Sequence, residues 1–140
     1  MALVRKRVKF AIDQAKRDAA ERRTRSSETA KLYETFLETA AIPAFRMLAN
    51  ILAAENLKFD VMTPAGAVSL VGERQRGDSI ELELDTTLDP PQPLVTVSRV
   101  RGSRTLRSER AIKGSTPLQQ LTEDDVIEML VEELRPWLSA

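Results

Sequence analysis

At Leu57 the spacing of apolar residues changes from helical to alternating, and no other feature constrains the fold as much. Upstream, apolar side chains recur every three or four positions, which gathers them on one face of a helix. Downstream, Leu57, Phe59 and Val61 alternate with Lys58 and Asp60, and Val68 and Leu70 flank Ser69. The clearest alternation runs from Ser79 to Asp85, with Ile80, Leu82 and Leu84 on one side and Ser79, Glu81, Glu83 and Asp85 on the other. That pattern belongs to strands with one buried face and one wet face. Turn residues separate them: Pro64-Ala65-Gly66, the loop Arg74 to Asp78 around Gly77, and the loop Thr86 to Pro93 with Pro90 and Pro91. Strands over Leu94 to Val100 and Thr105 to Ile112 complete a five-stranded antiparallel meander within residues 57–113. An odd loop around Gly102 is expected to pair Val100 with Leu106 and Leu94 with Ile112, because that register places apolar residues together. A two-residue Gly102-Ser103 turn would instead oppose Arg99 to Leu106.

Helices flank this sheet. Residues 2–25 contain neither Pro nor Gly and are rich in Ala, Lys and Arg, so residues 1–26 read as a basic N-terminal helix. Its apolar stripe, Val4, Val8, Ala11, Ile12, Ala15 and Ala19, is thin and mostly alanine. Thr24, Ser26 and Ser27 read as a polar break capping a second helix over residues 27–56. Leu32, Phe36, Leu37, Ala40, Ala44, Phe45, Leu48, Ile51 and Leu52 give that helix the broadest apolar face in the chain. Pro43 lacks an N–H and its ring clashes with the carbonyl of Thr39, so the helix should kink or break there. Residues 118–140 form an acidic, amphipathic C-terminal helix beginning at Thr122, with Glu123, Asp124 and Asp125 at the positive end of its dipole. The expected fold is therefore α+β in one 140-residue domain: two N-terminal helices, the meander, and a C-terminal helix packed on the sheet.

The composition removes much chemistry. With no His and no Cys, Ser-His-Asp and Cys-His systems, His- or Cys-containing zinc sites and disulfides are all excluded. No glycine pattern of a phosphate-binding loop occurs, so no cofactor is expected. Glu81, Glu83 and Asp85 share one strand face and form the candidate site for a hard cation or small molecule. The plainer alternative is a solvated strand face paired with arginines such as Arg99 or Arg107. Arg76-Gly77-Asp78 reads as an inter-strand loop, and Tyr33 and Trp137 read as core residues in helical stripes.

Net charge is zero, but it is segregated. Residues 1–27 carry nine Lys or Arg against three acids, a net of +6, whereas residues 118–140 carry six acids against Arg135, a net of −5. The candidate partner-binding residues are therefore Arg5, Lys6, Lys9, Lys16, Arg22 and Arg23. These features point to a non-enzymatic interaction or scaffold protein that self-associates as a homodimer or binds another protein. A nucleic-acid-binding accessory protein using residues 1–26 is the alternative. The longest unbroken apolar stretch, Ala40 to Phe45, is six residues, so no membrane partner is expected. The acids Asp13, Asp18 and Glu21 argue against a presequence, and the missing Cys fits the cytoplasm.

Overall fold

A computed structural model describes residues 2–139 and has an α+β arrangement of a long helix, a five-stranded antiparallel sheet and a C-terminal helix. The two expected N-terminal helices are one joined helix: α1 (Ala2–Phe36) passes through a π-helical turn (Leu37–Ala41) into α2 (Ile42–Ala54). Thr24 caps nothing. Its hydroxyl donates back to the carbonyl of Ala20 at 3.1 Å, the bond by which a helix tolerates Thr in its interior.

Pro43 distorts the helix without dividing it. In the π-turn the Ile42 N–H reaches back to the carbonyl of Leu37, five residues away, and Pro43 falls in the first turn of α2, where a proline is tolerated. The hydroxyl of Thr39 donates to the carbonyl of Thr35 at 2.7 Å beside this wide turn. Asn56, at φ 62°, ends α2. Its N–H donates to Ala53 and that of Leu57 to Leu52, closing the helix in the left-handed manner usually reserved for glycine.

The sheet follows chain order: β1 (Phe59–Met62), β2 (Ala67–Gly72), β3 (Ser79–Asp85), β4 (Gln92–Arg101) and β5 (Arg104–Arg110). Register aligns Val68 with Leu82 and Val95, and Leu70 with Ile80 and Val97, so the fully buried residues lie in rows across one face. Against them pack Phe45, Leu48 and Leu52 of α2 and Val126, Met129, Leu130 and Leu134 of α3 (Glu123–Leu138). Each large side chain buried there contributes about 1.5–3 kcal/mol. Thr122 caps α3 reciprocally with Asp125: the Asp125 N–H donates to the Thr122 hydroxyl, and the Thr122 N–H to the Asp125 carboxylate.

The β4–β5 register differs from the apolar-matching expectation. Arg101 pairs with Arg104 across a two-residue Gly102-Ser103 turn, which opposes Arg99 to Leu106 and Ser98 to Arg107. Gly102 has φ +61° while Ser103 stays at negative φ, the signature of a type II′ turn. Mixed polarity is tolerated because α3 supplies partners for it. The Arg99 guanidinium lies 5.7 Å from the centroid of the Trp137 ring, and Arg110 bonds Glu132 at 2.7 Å and Glu133 at 3.1 Å.

By length and composition the joined helix Ala2–Ala54 contains one window apolar enough to cross a membrane, a feature hidden when only unbroken apolar runs are considered. Half of that window is buried within the fold, as in a core helix.

Candidate functional site

The first buried residue of α1 is Tyr33, so the helix upstream projects from the sheet with only side contacts at its base. There Arg25 reaches Asp89 of the β3–β4 loop at 3.5 Å. Beyond Ala19 the helix is an arm. Its Leu3, Val4, Val8, Phe10 and Ile12 are 48–67% exposed, an unusual density of apolar side chains in water for one helical segment.

All six candidate partner-binding residues are exposed on this helix. Arg5, Lys9, Lys16 and Arg23, spaced four, seven and seven apart, form one line beside the stripe of Val8, Ile12, Ala15 and Ala19. Lys6 and Arg22 lie on other faces. Among the described residues, none of the six forms an ion pair.

Several clefts flank the sheet, among them one beside Trp137 and one beside Tyr33. The first, of about 430 Å³, is lined by Lys58, Phe59, Arg74, Asp78 and Trp137, whose ring stands edge-on to Phe59 at 5.6 Å. The second, of about 590 Å³, is an open groove between α1 with its π-turn and the β1–β2 turn. Ala30, Leu37, Ile42, Pro64 and Leu84 make its floor apolar, and Glu34, Glu38 and Glu83 surround it with carboxylates. Tyr33 anchors the wall, donating to the carbonyls of Gly66 at 3.1 Å and Leu82 at 3.5 Å. Burial pushes its phenol far above the usual range, and the fields of Glu83 and Glu81 add to the shift.

The other sequence candidates are dispersed. Glu81 and Glu83 stay on the outer face of β3, where they oppose Thr96 and Leu94, and Asp85 accepts from the Thr87 N–H at 2.9 Å. Arg99 faces Trp137 and Arg107 opposes Ser98, so the expected arginine partners serve elsewhere. Among the described residues, no three acidic side chains are grouped closely enough to hold a metal ion. Arg76-Gly77-Asp78 is an inter-strand loop, with Arg76 on Asp60 at 2.7 Å and Asp78 accepting from the Val100 N–H at 2.8 Å. On α3, Glu132 and Glu133 are engaged by Arg110, and Asp125 by Lys113 at 3.2 Å.

The acidic groove escaped the sequence reading because its walls come from residues 30–42, 63–67 and 83–86, which no local pattern joins. Compared with family models, curated proteins and solved structures, the chain matches none.

Proposed function

We propose that this chain is a non-enzymatic, cytoplasmic interaction protein that self-associates as a homodimer, with the basic arm of α1 as its partner-binding element. The observation that carries this reading is the arm itself: a helix continuous with the core that leaves Leu3, Val4, Val8, Phe10 and Ile12 exposed. A second helical surface covering Val4, Val8 and Ile12, which share one face while Leu3 and Phe10 lie on the other, removes apolar area from water, the dominant gain in most protein association. The absence of His and Cys supports the non-enzymatic part.

Sedimentation velocity at micromolar concentration tests it on the full chain and on a chain lacking residues 2–25, a deletion upstream of the first buried residue of α1. The full chain should dimerise and the shortened chain should not. Two monomers, or two equally stable dimers, would remove the arm from the interface.

The same arm supports a second reading as a nucleic-acid contact, favoured by the exposure of Arg5, Lys6, Lys9, Lys16, Arg22 and Arg23 without intramolecular ion pairs among the described residues. Neutralising six phosphates would give log affinity against log salt a slope of roughly −5. Submicromolar binding at physiological salt with that slope would promote this reading over the first.

A further inference from the structure

The arm and the acidic groove are complementary, and the helix itself relates them. Ile12, Ala15, Lys16 and Ala19 each lie 18 residues before Ala30, Tyr33, Glu34 and Leu37, the helical wall of the groove. Eighteen residues are five full turns, so the arm's apolar stripe lies on the same side of the helix as the groove. Arg5 and Lys9, in line with Lys16, thereby run along the same flank as Glu34.

We propose, resting on the self-association reading, that the arm of one copy docks antiparallel into the Tyr33 groove of a second copy, and that the second copy returns the contact. With the pair centred close to Glu21, Val8 and Ile12 of one copy lie over residues 30–37 of the other. A two-fold axis perpendicular to the plane of two antiparallel helices keeps a given flank on the same side in both copies. Arg5 and Lys9 of one copy therefore meet Glu34 and Glu38 of the other.

Three observations favour this occupant. The arm's basic residues face a groove whose Glu34, Glu38 and Glu83 have no ion pair among the described residues. Ala11 and Ala15, both exposed, are small enough to let two helix axes approach closely, while Ala19 faces the chain's own β3–β4 loop. The competing acidic surface, α3, already spends Glu132, Glu133 and Asp125 on Arg110 and Lys113 of its own chain. Because the contact is made twice per dimer, a single helix in a single groove supplies only half of the interface.

A charge exchange on the full chain tests the docking. One variant carries Glu34→Lys with Glu38→Lys, and the other carries Arg5→Glu with Lys9→Glu; all four positions are exposed. Alone, each variant should dimerise roughly tenfold or more weakly than the parent in analytical ultracentrifugation, since attraction becomes repulsion in both contacts. Mixed in equal amounts they should recover parental affinity as a heterodimer, because the basic arm then meets the acidic groove and the acidic arm meets the basic one. Circular dichroism matching the parent shows that each variant is folded. A groove variant that dimerises as tightly as the parent, or a mixture that fails to recover, overturns the docking while leaving self-association standing. A parent that stays monomeric, or whose arm binds nucleic acid or anionic vesicles in place of a second copy, overturns both.

Discussion

Asp125 and Thr122 close the first turn of the acidic helix through two reciprocal bonds, and both have measurable consequences. The Thr122 N–H donated to the Asp125 carboxylate holds its pKa below the ordinary aspartate value; burial opposes this shift, and Lys113 at 3.2 Å and the Thr122 hydroxyl reinforce it. A carboxyl whose folded pKa is depressed stabilises the fold fully above its unfolded value, about 3.9, and loses that contribution as pH falls through the folded value. Asp125→Asn should therefore be less stable than the parent in urea at pH 7, with the difference shrinking as pH falls below 4. A difference that is constant from pH 7 to pH 3 would show that the charge of Asp125 contributes nothing. Thr122→Ala removes the other half of the cap and should cost about 1 kcal/mol by the same assay. Tyr33 plays a comparable part elsewhere on the sheet, where one hydroxyl reaches a carbonyl of the β1–β2 turn, Gly66, and one of β3, Leu82.

At the scale of elements, the β4–β5 hairpin shows turn geometry prevailing over apolar matching. Gly102 at φ +61° has open space around it, so a side chain there is resisted by backbone conformation alone. Gly102→Val should destabilise the protein by about 1–2 kcal/mol in chemical denaturation. An unchanged midpoint would mean that the two-residue turn does not hold the register. Strand faces were legible in the sequence because their period of two is insensitive to context, and β3 matches its expected bounds of Ser79 and Asp85. The last register was not legible, since matching apolar residues assumes that everything facing the helices is apolar. Arg99 and Arg110 face them as cations, one against an indole and one against two carboxylates. Helix boundaries failed for a related reason. Thr24 and Ser27 resemble a cap in isolation, but a Thr that bonds its own preceding turn costs a helix little, and nothing local distinguishes the two uses.

Taken whole, the molecule is a folded body with a projecting rod: the joined helix of 53 residues extends roughly 80 Å, and its part upstream of Tyr33 makes roughly 46 Å of that, longer than any strand. Nine basic residues within residues 5–25 make that rod a ready substrate for trypsin. At concentrations that keep the chain monomeric the first cuts should fall between Arg5 and Arg23 and leave the sheet and α3 intact, and formation of the proposed dimer should slow those cuts. First cuts within residues 57–139 would contradict this division into body and rod. The rod's charge and thin stripe were legible in the sequence, and the acidic groove was not. Glu34, Glu38 and Glu83 are carried by different elements, and α3 holds the denser run of acids in the linear chain. The wide turn at Leu37–Ala41 bears on this division in another way. It carries one residue more than an α-helical path would, and each residue of a helix is worth about 100° of rotation. With α2 fixed by the sheet, the turn works as a phase setting that decides the compass bearing on which Ile12, Ala15 and Ala19 leave the body. Loss of a single residue there would keep α2 seated while swinging Tyr33 off its two carbonyls and turning the rod's apolar face a quarter-turn or more about the rod's own axis.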